Sequence, residues 1–267
     1  MRKLKLAFVA LVATLSGCST YGYLEPMPMT DESVNQESGY AQGNPAITSK
    51  QENLVTLVAP KTFESGGRMR IFVQVGNGSE SNFLFAPAFI KAAQTQRGNL
   101  EGLHVYTYDE LVQEERTRQM WAAIAIGMSG AANSMAAQNA GYSYTTGSYG
   151  GTYSGNVYSV PGSSFGGSYT GTYTAQTYNP YVARMAQQQA QAQTQEQMRT
   201  MAEYGAQAMA ELGHSILRLN TVRVGQFCGG QVEVDAPVVS NDVEKLGFEV
   251  RVGEEMHRFY FRMRKCE

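Results

Sequence analysis

From Gln119 to Ala183 the chain carries no Asp, Glu, Lys or Arg. Charged side chains keep exposed surface solvated and separate from its neighbours, so a gap of this length restricts what the segment can become. The gap explains why charged residues make up only 16% of the sequence, where about a quarter is usual. Net charge over the whole chain is -2, which gives no electrostatic reason to expect a nucleic-acid partner.

The gap opens inside a helical pattern. Thr107-Tyr108-Asp109-Glu110 fits a capping box, in which the Thr107 hydroxyl serves the Glu110 amide and Glu110 reaches back. Glu114 and Arg118 are spaced i,i+4, and Trp121, Ile124, Met128, Ala131 and Met135 follow at steps of three and four, predicting one apolar face. Ala123, Gly127, Gly130 and Ser134 are small and lie opposite. Gly141 is a fitting stop, so the pattern predicts a helix of about 32 residues, near 48 Å long. Asn179-Pro180 begins a second helix, with Asn as N-cap and Pro at the first helical position. It settles into Met198, Met201, Gly205, Met209, Leu212, Ile216 and Leu219, close to a coiled-coil heptad seam. Two consecutive helices of similar length predict an antiparallel hairpin over 109–220, and small residues on the first permit close approach.

Between the helices, residues 141–178 are Gly, Tyr, Ser and Thr in low complexity. Ser148-Tyr149-Gly150-Gly151-Thr152-Tyr153-Ser154-Gly155 is echoed by Ser164-Phe165-Gly166-Gly167-Ser168-Tyr169-Thr170-Gly171. Tyrosine alternating with small polar residues allows short β-hairpins. The absence of an aliphatic core equally allows disorder.

On both sides of the helices the period is two. Leu54 to Val58 is a short apolar run, and Met69, Ile71, Val73 and Val75 alternate with Arg70, Phe72 and Gln74. Further strands are expected in 82–90 and 103–107. After the second helix, Val232 and Val234 alternate with acids. Phe248, Val250 and Val252 then face a hairpin partner carrying Phe259, Phe261 and Met263. About four strands precede the helices and four follow. Together they predict an α+β chain: an immunoglobulin-like antiparallel β-sandwich, with halves at 52–108 and 221–267, interrupted by the long antiparallel helical hairpin and its Gly/Tyr-rich tip. Two separate β units are the other arrangement the pattern allows.

The first residues carry an address. Arg2, Lys3 and Lys5 precede a short apolar run from Leu6 to Leu15, which ends in Leu15-Ser16-Gly17-Cys18. This segment resembles the signal peptide and lipobox of bacterial lipoproteins. The resemblance implies removal of residues 1–17, a diacylglyceryl group on Cys18, and anchoring to membrane lipid. Ser19 in place of an Asp implies the outer membrane. Residues 18–51, rich in Ser, Gly, Pro, Gln and Asn, read as a flexible tether. The remaining cysteines, Cys228 and Cys266, are an even pair in an oxidising compartment and are expected to form a disulfide.

Chemistry-bearing motifs are sparse. His104, His214 and His257 have no ligand-like spacing, and no HExxH, CxxC, G-x-S-x-G or P-loop occurs. No cofactor is implied. Arg258, Arg262, Arg264 and Lys265 read as the charged outer face of a strand. The expectation is therefore a non-enzymatic structural or adaptor protein. Its contact residues would be Tyr149, Tyr153, Phe165, Tyr169 and Tyr173, and its partner an envelope protein or a second copy. The alternative is a pore-type subunit that enters the membrane through the helix at 120–140, about 21 residues without charge.

Overall fold

The computed structural model of the protein describes residues 20–29, 35–96, 98–156, 164–239 and 243–266. The leader at 1–17 and Cys18 lie outside the described residues. The described chain is α+β and divides into two compact units, Met1–Glu115 with Ala208–Glu267, and Arg116–Gln207.

The first unit is built on two antiparallel sheets. One has six strands, in the order β5 (Thr62–Glu64), β1 (Tyr21–Pro26), β15 (Glu255–Lys265), β14 (Val243–Val252), β8 (Ile90–Gln96) and β9 (Asn99–Leu103). The other has five: β13 (Phe227–Asp235), β6 (Arg68–Gly76), β4 (Leu54–Val58), β3 (Asn44–Lys50) and β2 (Asn35–Ala41). A small pair, β7 (Phe83–Phe85) with β12 (Asn220–Val222), accompanies them.

Period-two alternation does the sorting. In β6, Met69, Ile71, Val73 and Val75 are buried while Arg70 and Phe72 face outward. In β15, His257, Phe259, Phe261 and Met263 are buried and Arg258, Arg262 and Arg264 are exposed. Leu24, Ile47, Leu57, Ile71, Phe248 and Phe259, drawn from both sheets, belong to one hydrophobic core. Each large side chain removed from water there contributes about 1.5–3 kcal/mol. The β14–β15 hairpin sets Glu249 opposite Arg258, and their side chains bond at 3.0 Å.

The segment read as a tether is largely sheet. β1, β2 and β3 all fall within 18–51, and Leu24 and Ile47 are core residues. The inward positions of β3 are Pro45, Ile47 and Ser49, and of β1 Gly22 and Leu24, so each strand offers one aliphatic side chain and its alternation is hidden by small or polar partners. Ser49 turns inward because it bonds His257 Nδ1 at 3.1 Å, a pairing no local pattern announces.

The expected disulfide is absent: Cys228 and Cys266 are free thiols. Cys266 donates its amide to Tyr21, and Tyr21 lies against Glu64 at the end of the sheets where Gly66 bonds Pro237. Cys228 sits opposite Val75, seven residues back along β13 from Asp235, roughly 23 Å at 3.3 Å per residue. A disulfide needs Cα atoms within about 7 Å. Burial pushes the Cys228 thiol above its ordinary value.

Helix α1 (Tyr108–Asn139) begins on the outer face of the five-stranded sheet, and α2 (Pro180–Ser215) ends there. The capping box forms as read: the Thr107 amide donates to Glu110 Oε2 at 2.7 Å and the Glu110 amide to Thr107 Oγ1 at 3.3 Å. These bonds from Thr107, backbone first, hold the Glu110 carboxyl below its usual range. Leu111 and Val112 are buried. Arg68 bonds Glu114 at 2.8 Å while its guanidinium lies 3.9 Å from the Tyr106 ring, and Tyr106 donates to Asp235 at 2.8 Å. Arg70 bonds Glu233 at 2.8 Å and approaches Glu211 of α2 at 3.6 Å. At the exit of α2, the Leu217 amide donates to Gln231 at 2.8 Å, and a Cβ on Gly230 would stand 2.9 Å from the Leu217 backbone. Only glycine allows that crossing.

Candidate interaction site

The second unit consists of the remaining lengths of α1 and α2 and, between them, two strands, β10 (Tyr142–Asn156) and β11 (Ser164–Tyr178). The helices are antiparallel. Gln119 donates to the Gly205 carbonyl at 3.2 Å. A Cβ on Gly130 would meet Thr194 at 2.8 Å, and one on Gly141 would meet Ala183 at 2.9 Å. On the second helix Gly205, Thr194 and Ala183 recur every eleven residues, matched by Gln119 and Gly130 on the first and by Gly141 just past its end, three turns at 3.67 residues per turn, so the pair keeps register with little supercoiling. The seam is therefore not the heptad of a coiled coil. On α1 it runs through Gln119, Ala122, Ala123, Ile126, Gly130, Ser134 and Ala137, none of them more than half-exposed.

That seam displaces the large apolar face. Trp121 is 61% exposed, Met128 70% and Met135 68%, with Ile124 also exposed. The sequence pattern located the stripe, but its small residues, not its large ones, meet the partner helix. Two backbones that approach closely gain more contact than two rows of bulky side chains held apart. Nor does α1 cross a membrane: among the described residues no helix is long and apolar enough to do so. The reading of 120–140 as a spanning helix is thereby overturned. Gln119, Ser129, Asn133, Ser134, Gln138 and Asn139 dilute its hydropathy.

At the base of the strands the Asn179 amide donates to Gly141 at 2.7 Å, and Asn179 Oδ1 accepts from the Tyr181 and Val182 amides at 3.1 and 3.4 Å. One residue thus closes the ribbon and caps α2. The strands then pair without a register shift from Tyr142↔Tyr178 to Asn156↔Ser164. Each has 15 residues, about 50 Å of strand. The sequence echo is the reason. Its two copies run antiparallel so that each of their aromatic residues falls opposite a glycine, Tyr149↔Gly171, Gly151↔Tyr169, Tyr153↔Gly167 and Gly155↔Phe165, and Gly147↔Tyr173 continues the pattern one step beyond them.

Directly opposed residues share a face, as do residues two apart. All five aromatics named from the sequence, Tyr149, Tyr153, Phe165, Tyr169 and Tyr173, therefore lie on one face of one ribbon. Four of the rings lie across the facing glycine. A Cβ at Gly147, Gly151, Gly167 or Gly171 would stand 2.4–2.6 Å from the tyrosine opposite. Tyr149 and Tyr169 are diagonal neighbours, with centroids 6.5 Å apart. Even so, Tyr149, Tyr153, Tyr169 and Tyr173 each keep 51–56% of their surface exposed. The other face carries Thr146, Ser148, Thr152 and Ser154 against Thr174, Thr172, Ser168 and Gly166, and at the base of the ribbon Tyr142, Tyr144 and Tyr178. The alternation allowed short hairpins; one continuous hairpin of 15 pairs, with aromatics set on glycines, is the new feature. The two octapeptides held the signal, since reversing one against the other aligns aromatics with glycines.

The histidines stand apart. His104 Nε2 lies 3.4 Å from Glu110, and His257 is wholly buried against Ser49 and Glu255. His214 occupies the last turn of α2. No family model matches the chain, and no curated protein or solved structure matches it either.

Proposed function

We propose that this protein is a non-enzymatic, lipid-anchored envelope lipoprotein, held on the outer membrane through an acylated Cys18, in which the two sheets are a scaffold and the β10–β11 ribbon is the contact element. One observation carries the reading: Tyr149, Tyr153, Tyr169 and Tyr173 are gathered on a single, half-exposed, uncharged face. Tyrosine offers large contact area with few torsions to freeze. The facing glycines hold the rings flat, so part of that entropy is already lost before a partner arrives. The lipobox at Leu15–Cys18 supports the address. Two antiparallel sheets around one core support reading the scaffold as an elaborated immunoglobulin-like sandwich.

A photo-crosslinking residue in place of Tyr149 or Tyr173 tests the contact element in living cells. Discrete envelope adducts are expected at both positions and none with the same residue at Glu254, in the β14–β15 turn. No adduct from either ribbon position would remove the reading. Palmitate labelling that survives Cys18→Ser would remove the anchor.

A further inference from the structure

We propose that the ribbon's partner is the ribbon of another copy: β11 of one chain pairs with β10 of the next, and the ring of ribbons closes into a β-barrel that crosses a lipid bilayer. This rests on the ribbon being the contact element, and it names what is contacted.

The first observation is the edges. Among the described residues β10 and β11 pair only with each other, so every second backbone N–H and C=O along each outer edge points away from the ribbon. Proteins guard such edges with charge, proline or bulges. Elsewhere in this molecule the guard is present: Glu37 on edge strand β2 and Glu101 on edge strand β9. The ribbon has no charge, no proline inside either strand and no register shift. Its two edges are unlike, one belonging to β10 and one to β11. Joining them is a head-to-tail contact, which repeats by rotation and closes as a ring. Every junction is then antiparallel, as within the ribbon.

The second observation is the faces. The aromatic and glycine face occupies 147–155 on β10 and 165–173 on β11, nine paired positions. A tilted strand needs about 9–11 residues to cross the hydrocarbon layer. Along each strand, positions holding an aromatic residue or glycine alternate with positions holding mostly serine or threonine, the two-residue period of a membrane strand with one face to lipid and one to the lumen. In lipid all backbone groups must be paired, which an open ribbon cannot achieve and a closed barrel does.

The third observation is independent of the strands. Trp121, Ile124, Met128 and Met135 form an exposed apolar stripe on α1, larger than isolated surface residues require. Among the described residues no helix is long and apolar enough to cross a membrane. In a ring of copies the adjacent helical pair covers the stripe.

Lipidated full-length protein would be reconstituted into dye-loaded vesicles of phosphatidylethanolamine and phosphatidylglycerol, and compared with two single variants on opposite faces. Tyr169→Arg puts a charge toward lipid; Thr152→Arg puts it in the lumen. Expected are dye release and a multimer resistant to unheated SDS for the unaltered chain. Tyr169→Arg should lose at least tenfold in release. Thr152→Arg should release dye normally and shift ion selectivity of the conductance toward anions. Circular dichroism before reconstitution checks that both variants fold. No release from the unaltered chain, or equal loss from both variants, overturns the barrel. If release is absent while the ribbon crosslinks to a different envelope protein, the barrel falls and the contact reading stands. If neither occurs, both fall.

Discussion

β15 and β10 both alternate residues with a period of two, and the outcomes differ. In β15 the inward set is His257, Phe259, Phe261 and Met263, and the two phenylalanines are 0% exposed because strands of the second sheet share their core. In β10 the aromatic set is Tyr149 and Tyr153 with glycines between, and both tyrosines stay more than half exposed. Alternation makes a strand two-faced; burial needs a second layer. The first unit supplies that layer from its own chain. The ribbon supplies one hydrogen-bonded partner and, among the described residues, no aliphatic layer, so its aromatic face remains available.

Substitutions separate the two regions most sharply where the layer exists. Phe259→Ala should cost about 3–5 kcal/mol, read as a lower urea midpoint, because a wholly buried ring leaves a cavity between the sheets. A smaller loss, about 1–3 kcal/mol, is expected for Gly230→Val, which forces the Leu217 backbone away from β13. Tyr153→Ser on the ribbon should leave the same midpoint within about 0.5 kcal/mol. A large effect from Tyr153→Ser would mean that the ribbon contributes to the core after all.

Acid acts on the scaffold through one buried cluster. Burial holds the His257 imidazole below its ordinary 6.5, against the opposing pull of Glu255. Burial alone would raise the Glu255 carboxyl, but bonds from the Asn53 side chain and amide, the Glu52 amide and His257 together bring it below 4.5. Both folded-state values lie beneath the unfolded ones, so the unfolded chain binds more protons as pH falls. The contribution is complete above 6.5, declines as His257 is forced to charge, and declines again below 4.5. Urea midpoints measured from pH 7.5 downward should fall first near 6.5. His257→Gln should flatten that first step, while ribbon substitutions leave it unchanged.

Legibility in the sequence followed the same division. Met69 to Val75 and Phe248 to Met263 announced their strands because, His257 apart, large apolar residues fill the inward positions. β3 did not, because Ser49 earns its inward place from His257, more than two hundred residues away in sequence. The capping box at Thr107 and the N-cap at Asn179 were legible because caps are local chemistry. The small residues read as permitting close approach do so at Gly130 and Ser134, whereas the large apolar stripe of α1 stays exposed, because a hydrophobic stripe marks where apolar surface lies and not which side of a helix packs closest. The five aromatics were named from composition; their shared register became visible only once each was paired with a glycine.

The most direct test of this division replaces residues 142–178 with a short linker in the otherwise unaltered chain. The expected result is an unchanged urea midpoint for the two-sheet unit, together with loss of the ribbon-dependent multimer and crosslinks. An unfolded or strongly destabilised scaffold, or a multimer that persists without the ribbon, would contradict it.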